Sequence, residues 1–294
     1  MINAITKTRI ASLSGRYRQA ACGNADALRQ IELAELSEAV HQSNAIENST
    51  LTLAETERIL DGFTTERSHD VREVFEAVNL ARVTQDLLDT APPLTVATIL
   101  AWHRLLLAGI RDDAAGRFRR PGEWVRVGGH VGANPEFVLG LVEDALTAYA
   151  ATDGGYFLDK IARFHCEFEI IHPFVDGNGR IGRVLISQQL LALGLPPVIV
   201  RANTRQTDYY PLLAEYGLSD SHAGMTALLA LLLQESLHKR ISLLESRRVV
   251  PLGRWASAVG VRPNVAANKA KRQTIPAFRL RGRWMIAEDW RPES

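Results

Sequence analysis

A stretch of twelve residues from His172 to Arg183, HPFVDGNGRIGR, combines residue types that together suit a polyphosphate. Within it, Gly177, Asn178 and Gly179 come directly before a predicted helix. Backbone N–H groups that converge at a helix N-terminus bind anions, and the positive end of the helix dipole strengthens the attraction. These three residues therefore predict an anion cradle. The chain has no GxxxxGK[ST] segment, so the cradle is not a P-loop.

Four side chains around this cradle have the types that phosphate chemistry uses. Arg180 and Arg183 are three positions apart in the first predicted turn, so their guanidinium groups share one face and can clamp further phosphates. Asp176 supplies a carboxylate beside the phosphates, which is the usual protein ligand of Mg²⁺. His172 is the neutral base of the stretch that can accept a proton near pH 7.

A zinc site is the alternative interpretation of the same region. His165 and His172 are two helical turns apart with Glu169 between them, so the three side chains could share a face. The chain has no HExxH sequence, which disfavours this alternative. Its two cysteines, Cys22 and Cys166, form no CxxC pair and indicate neither a zinc site nor a disulfide framework.

Helical periodicity dominates the rest of the chain and predicts an all-α fold. The predicted helices cover residues 26–42, 53–60, 70–88, 95–107, 136–151, 157–171, 180–193, 209–216 and 224–246. Thr52, with a glutamate three residues later, predicts a capping box at the start of one of them. The exception is a short β-hairpin or flap at Trp124, Val125, Arg126 and Val127, a β-prone run within a Gly-, Arg- and Pro-rich segment.

Composition and length indicate an ordinary globular protein in three regions. The 294 residues carry a net charge of +1 and are 46% hydrophobic, which is ordinary for a globular protein. Because no stretch has the apolar run of a leader or of a membrane span, we expect neither feature. We therefore expect a cytoplasmic protein without membrane contact. We expect an N-terminal helical region at residues 1–94, a core at 95–246 and a small module at 247–294.

The C-terminal module is strongly basic. Residues 251–294 contain nine Lys or Arg against three Asp or Glu, a net charge of +6. Helices near 255–259 and 264–272, joined at a glycine, predict a helix-turn-helix, and β-prone runs at 275–278 and 283–286 predict a small wing. The module resembles excisionase-type or winged DNA-binding modules, which implies contact with DNA. A solvated basic cap used for packing or target binding is the alternative.

From His172 to Arg183 the chain resembles the Fic family, whose signature HxFx(D/E)GNGRxxR it matches at every fixed position. The similarity extends over roughly residues 30 to 235 and includes the GRFR segment at 116–119. The resemblance implies an all-α core with a β-hairpin flap. It also implies a protein adenylyltransferase, which transfers AMP from ATP to a Ser, Thr or Tyr hydroxyl group of a protein target.

The resemblance assigns roles to the residues of the signature. His172 would deprotonate the target hydroxyl group, and Asp176 would hold Mg²⁺ on the α- and β-phosphates. The cradle from residue 177 to residue 179 would bind phosphate, with Asn178 also contacting the α-phosphate. Arg180 would bind the β-phosphate and Arg183 the γ-phosphate. Arg180 also separates the chain from the phosphorylating Doc branch, which has lysine at this position.

Two further parts of the site follow from the same resemblance. Tyr210 would line the adenine side of the nucleotide, although the asparagine that many relatives carry seven residues later is Gly217 here. The flap from Trp124 to Val127 would pair with the backbone of the target by strand addition. The target protein itself is not identified by the sequence, and self-modification and a homodimer are further expectations.

The segment SNAIEN, from Ser43 to Asn48, resembles the inhibitory motif (S/T)xxxE(G/N) of the family. Ser43 and Glu47 are i,i+4 neighbours on one predicted helix. A Glu47–Arg183 ion pair would withdraw Arg183 from the γ-phosphate and inhibit transfer. Some relatives with this glutamate remove AMP, so a de-AMPylating hydrolase is one alternative. A DNA-binding regulator with a nucleotide-sensing Fic core is the other.

Overall fold

The computed structural model describes residues 2–63, 69–127, 129–151 and 155–291, and over these residues the chain is mainly helical. The helices are α1 (Ala4–Ala21), α2 (Ala25–Ile46), α3 (Leu53–Leu60), α4 (Val71–Thr90), α5 (Val96–Leu107), α6 (Val138–Ala150), α7 (Phe157–Ile171), α8 (Asn178–Ala192), α9 (Tyr210–Ser219), α10 (Ala223–Leu244), α11 (Leu252–Ala258) and α12 (Pro263–Lys271). The strands are β1 (Arg126–Val127), β2 (His130–Val131), β3 (Val249–Pro251), β4 (Phe278–Leu280) and β5 (Arg283–Ala287). The predicted all-α fold class is confirmed.

Local capping signals place several helix ends where the sequence predicts them. The Thr52 hydroxyl accepts from the backbone N–H of Glu55, and the Glu55 carboxylate accepts from the backbone N–H of Thr52. This is the predicted capping box of α3. Thr95 likewise caps α5 by accepting from the N–H of Thr98. Satisfying these first N–H groups is what starts each helix at its predicted residue.

The flap is shorter and lies further along the chain than predicted. Arg126 pairs with Val131 and Val127 with His130 in an antiparallel hairpin of two residues a strand. Trp124 and Val125, which the sequence places in the flap strands, precede this hairpin and lie outside both strands. A run of β-prone residues indicates that a segment can be extended, but it does not determine which residues pair with the neighbouring strand. The position of the hairpin therefore differs from the prediction.

Two hydrophobic clusters meet at α8. One contains Ile181, Val184 and Leu185 of α8 and packs against α4, α5 and α7, whereas the other contains Ile186 and Leu190 and packs against α7 and α10. Because opposite faces of α8 are both buried, this helix is fixed at the centre of the fold. Its N-terminus, where the predicted cradle lies, is therefore held in place by packing on both sides.

Helix α2 is fixed to α10 by buried charges. Glu35 accepts from Lys239 at 2.7 Å and also pairs with Arg240, both on α10. Glu38 pairs with Arg201, which in turn lies 3.2 Å from Glu235 of α10. Glu38, Lys239 and Arg240 are buried. Removing one partner from such a network strands the other charge away from water, at a cost of about 3–5 kcal/mol. The network therefore resists displacement of α2.

The C-terminal segment has its own small core and is tied to the rest of the chain. Strands β3, β5 and β4 form an antiparallel sheet in that order, packed with α11 and α12 around Val250, Trp255 and Ile286. Arg279 on β4 pairs with Glu235 of α10 at 3.0 Å. The interpretation of this segment as a helix-turn-helix module, and the three predicted domain boundaries, stay predictions. Within the described ranges, none of the helices combines the length and apolarity that crossing a bilayer requires.

Candidate active site

The loop between α7 and α8 is closed by its own side chains. Asn178 accepts from the backbone N–H of Phe174 and donates to the Phe174 carbonyl oxygen, both at 2.8 Å. Phe174 is buried and stacks on His103 with ring centroids 3.6 Å apart, and His103 Nε2 lies 3.0 Å from the Asp176 carbonyl oxygen. The Asn178 side-chain amide is therefore engaged within the loop and shapes the cradle, and a contact of Asn178 with the α-phosphate stays a prediction.

The cradle itself is the first turn of α8. Gly177 precedes the helix with φ 81°, a backbone conformation that favours glycine. The first N–H groups of a helix have no acceptor within the helix. Those of Asn178, Gly179 and Arg180 begin α8, so the structure leaves an N-terminal anion-binding position directly after the loop.

His172 is held as a neutral base at the end of α7. Its Nδ1 lies 3.2 Å from the Glu169 carbonyl oxygen, and because a carbonyl only accepts, Nδ1 carries the proton and Nε2 keeps its lone pair. Burial lowers the pKa of His172 to about 4. Arg119 fixes this segment by donating to the carbonyl oxygens of His172 at 2.8 Å and Ala133 at 2.6 Å.

The segment containing Ser43 and Glu47 lies against Arg183. Arg183 Nη2 is 2.8 Å from Glu47 Oε1, and Arg183 Nε donates to Ser43 Oγ at 2.9 Å. Burial opposes the charge of Arg183, yet the Glu47 carboxylate raises its pKa overall. The structure thus brings Ser43 and Glu47 into contact with Arg183, which lies 140 positions after Ser43 in the sequence. This is the pairing that the inhibitory motif implied.

Asp176 and Arg180 belong to a second charge cluster. Asp176 Oδ1 accepts from Arg180 at 2.9 Å, and Oδ2 accepts from Arg72 on α4 at 2.6 Å. Arg180 Nη1 also lies 3.2 Å from Glu76. Sequence reasoning missed Arg72 and Glu76, since a charged pair on an amphipathic helix gives no signal of a partner a hundred residues later. Arg180 is buried in this cluster.

A cavity of about 720 Å³ lies over the N-terminus of α8, within the size range of ligand sites. Of the predicted site residues, its lining includes His172, Gly179, Arg183, Tyr210, Glu47 and Val127. The lining does not include Ser43, Trp124, Val125, Arg126, Asp176, Gly177, Asn178 or Arg180. It does include Glu169, Tyr209 and His130, which sequence reasoning did not assign to a nucleotide site. The described residues hold no group of three or more His, Cys, Asp or Glu arranged for a metal ion, the zinc alternative included.

Residues 93–190, which contain the loop, the cradle and α8, match the Fic/DOC family. This segment is therefore similar to Fic domains. The match runs from the residues before α5 nearly to the end of α8, so it contains His172, Gly179 and Arg183. Glu47 and Tyr210 lie outside the matched residues, on either side of them in sequence.

The similarity to curated relatives extends beyond residues 93–190. The protein adenylyltransferase Fic of Drosophila willistoni is 30% identical over 223 residues, covering 71% of this chain and 43% of the relative. The protein adenylyltransferase Fic of Nematostella vectensis is 30% identical over 221 residues, covering 73% of this chain and 50% of the relative. The chain therefore spans half or less of the length of these relatives.

Solved structures share the fold. Fic-1 from C. elegans is 25% identical, with a TM-score of 0.69 over 82% of this chain and 72% of that chain. A Fic domain containing signaling protein from Bacteroides thetaiotaomicron is 23% identical, with a TM-score of 0.69 over 81% of this chain and 97% of that chain. A Fic family protein from Desulfovibrio desulfuricans is 22% identical, with a TM-score of 0.68 over 100% of this chain and 98% of that chain.

Proposed function

We propose that this chain is a protein adenylyltransferase that transfers AMP from ATP to a hydroxyl group of a protein target. One observation carries the proposal: a neutral His172, with Nε2 free to accept a proton, lines the same cavity as Gly179 of the cradle and Arg183. A base next to an anion-binding helix N-terminus is the arrangement that an attack on phosphorus needs. The names of the curated relatives support the same activity.

In the proposed reaction the target hydroxyl oxygen forms a bond to the α-phosphorus of ATP, and the bond from that phosphorus to the pyrophosphate oxygen breaks. His172 Nε2 takes the hydroxyl proton as the bond forms. The N–H groups at the start of α8, including that of Gly179, stabilise the negative charge on the phosphate oxygens. Arg183 binds the γ-phosphate once its side chain is released from Glu47.

The proposed reaction also uses Mg²⁺, which would bind together with ATP. The donor set fits the ion, because one carboxylate together with ligand phosphates is a typical protein site for Mg²⁺. Asp176 would hold the ion, whose charge would neutralise phosphate oxygens. In the structure Asp176 Oδ2 accepts from Arg72 at 2.6 Å, so a metal ion competes with this guanidinium group for the same oxygen.

Autoinhibition is supported by the contacts of Arg183. Its Nη2 and Nε are bound to Glu47 and Ser43, and charge-assisted bonds of this kind are among the strongest hydrogen bonds in proteins. The guanidinium group is thereby occupied by a carboxylate at the place where a phosphate would bind. The chain is therefore proposed to bind ATP unproductively until Glu47 moves away from Arg183.

Transfer of labelled AMP tests the activity. We expect the Glu47→Gly chain, incubated with α-labelled ATP and Mg²⁺, to label itself or proteins of a lysate far more than the natural chain does. Adding His172→Ala should abolish the signal while the protein stays folded. Glu136→Gly, at an exposed glutamate outside the cavity, is the matched control and should leave labelling at the low level of the natural chain. Equal labelling by the Glu47→Gly chains with and without His172 would refute the proposal.

A DNA contact by the C-terminal segment is a separate proposal. The cations Lys269, Lys271 and Arg272 at the end of α12 are exposed, and none of the ion pairs within the described part of the chain involves them. Such cations bind phosphates and release counterions, so affinity for duplex DNA should fall steeply as salt rises. Substituting all three by Gln should flatten this slope by roughly 3 in a log–log plot. An unchanged slope would exclude the contact.

Three further expectations stay predictions. One is that the chain hydrolyses AMP from a modified target, with Glu47 orienting a water molecule. The chain could also form a homodimer, and a cytoplasmic location is expected from the sequence. Release of AMP from a purified AMP-modified protein, light scattering and cell fractionation would test them in turn.

A further inference from the structure

A second carboxyl group lies in the cavity, one helical turn before His172. Glu169 is 6% exposed and lines the cavity together with His172 and Arg183. Its Oε1 is buried, and among the residues that the structure describes it has no hydrogen-bond partner. A buried acceptor without a partner is uncommon in proteins and calls for an explanation.

The space for the Glu169 carboxyl group depends on the absence of a side chain at Gly182. A Cβ atom at Gly182 would lie 2.3 Å from Glu169 Oε1, so only glycine at position 182 permits the observed position. Gly182 is on α8, one turn after the cradle. The side chain is thus held against the helix whose N-terminus forms the anion-binding position.

Glu169 is kept in its neutral form by its surroundings. Burial raises its pKa to about 8, even though the nearby Arg183 lowers it, and Glu47 raises it further. At neutral pH the group therefore carries a proton and can donate through O–H. An ionised carboxylate in the same place would repel the phosphates of a nucleotide and would also compete for Arg183.

We propose that Glu169 is a nucleotide-binding residue whose protonated carboxyl group donates a hydrogen bond to the phosphate chain, and whose ionisation weakens nucleotide binding. The proposal rests on the proposed function, because it takes ATP as the ligand of the cavity. Gly179 of the cradle and Arg183 line the same cavity as Glu169, so an anion bound by these two residues would lie next to Glu169.

Other groups around the cavity do not share this behaviour. The charged and titratable groups that come from α7, α8, the end of α2, the flap and the start of α9 are His165, His172, Arg183, Glu47, His130, Tyr209 and Tyr210. Burial lowers the pKa of His165 to about 3 and that of His172 to about 4, and it raises the pKa of both tyrosines. His130 is tested separately by substitution.

Calorimetric titration of the natural chain with ATP and Mg²⁺ from pH 6.5 to 9.5 tests the proposal. We expect Kd to be level up to about pH 7.5 and to rise on the order of tenfold by pH 9, since only the protonated form binds well. Glu169→Gln, which keeps a neutral donor of similar shape, should give a level Kd over the whole range. His130→Gln should keep the alkaline rise of the natural chain.

A second measurement uses only the natural chain, in case Glu169→Gln does not fold. Titrations at pH 8.5 in buffers with different ionisation enthalpies report protons exchanged on binding, and we expect proton uptake when ATP binds. A level Kd for the natural chain, no proton uptake, or an alkaline rise that persists in Glu169→Gln would each overturn the proposal. If the Glu47→Gly chain still transfers AMP in that case, the proposed function stands and only the role of Glu169 is wrong.

Discussion

Glu47 and Gly179 are in such close contact that a Cβ atom at residue 179 would lie 2.3 Å from Glu47 Oε1. The glycine therefore belongs both to the predicted anion cradle at the start of α8 and to the surface against which the Glu47 carboxylate lies. Arg183, one turn later, binds the same carboxylate at 2.8 Å. Under the proposed function, a carboxylate in this position would exclude the phosphate chain from the cradle and would neutralise the Arg183 charge that binds it, so one side chain would inhibit the whole site.

Ser43 should contribute a smaller part of the inhibition than Glu47. Ser43→Ala removes the hydroxyl that accepts from Arg183 Nε and leaves the Glu47 pair in place. A hydrogen bond to a charged group is worth about 1.5–3 kcal/mol, so we expect AMP transfer to rise about 10- to 100-fold, less than in Glu47→Gly. Rates of labelling by the two variants and the double variant check this. Additive effects in the double variant would show that Ser43 does not act through the same contact.

The pH dependence of transfer should report the low pKa of His172. Only the neutral imidazole can accept the hydroxyl proton, and burial lowers its pKa from 6.5 to about 4. In the Glu47→Gly chain, kcat/KM should therefore stay level as pH falls from 7 to about 5 and should decline only nearer pH 4. Circular dichroism at each pH serves as the control for folding. A midpoint near 6.5 would mean that the imidazole is not shielded from water as the structure places it.

Arg119 should be required for stability as well as activity. It is buried and donates to four backbone carbonyl oxygens, two of them at His172 and Ala133. Arg119→Ala leaves such acceptors without partners, so we expect a loss of roughly 3 kcal/mol in the free energy of unfolding by urea. Arg120→Ala, at the exposed neighbouring position, is the matched control and should change it by less than about 0.5 kcal/mol. Equal effects of the two substitutions would contradict this account.

Arg72 should weaken the binding of a divalent cation at Asp176. Its guanidinium group pairs with Asp176 Oδ2 at 2.6 Å, and roughly half of the Arg72 side chain is exposed. Arg72→Ala frees that oxygen, so we expect tighter binding of Mn²⁺, used as a spectroscopic probe for Mg²⁺, in the presence of ATP. Electron paramagnetic resonance measures the free Mn²⁺ directly. Arg82→Ala, at an exposed position on the same helix, should leave the affinity unchanged.

The sequence predicts those parts of the molecule that depend on neighbouring residues. The capping box at Thr52 and the boundaries of α7 follow from local patterns, and the loop from His172 to Arg183 is read from one contiguous segment. Helix α1 was not predicted because its buried side is narrow and contains only Ile10, Ser14 and Tyr17. Trp124 was assigned to the flap because it is β-prone, yet it stays exposed and outside the strands.

Contacts between distant residues could not be predicted in the same way. Arg72 reaches Asp176 across 104 positions, and nothing near either residue specifies the other. Glu169 was considered only as a possible zinc ligand, because the charge state of a carboxyl group depends on burial that no local pattern reveals. The Glu47–Arg183 contact was anticipated through the family resemblance rather than through physical reasoning from either residue alone.

The ion pairs that fix α2 to α10 have a consequence for the speed of regulation. Glu35 and Glu38 hold the helix in place, whereas Glu47 lies just past its last turn with 36% of its side chain exposed. Rotation about side-chain bonds then suffices to uncover Arg183, and exposed side chains rotate in picoseconds to nanoseconds. Typical enzymes turn over only about 1–10³ times a second. The uncovered state would thus be visited many times within each catalytic cycle, and inhibition would be set by the fraction of time that Glu47 spends away, with no slow step to gate it.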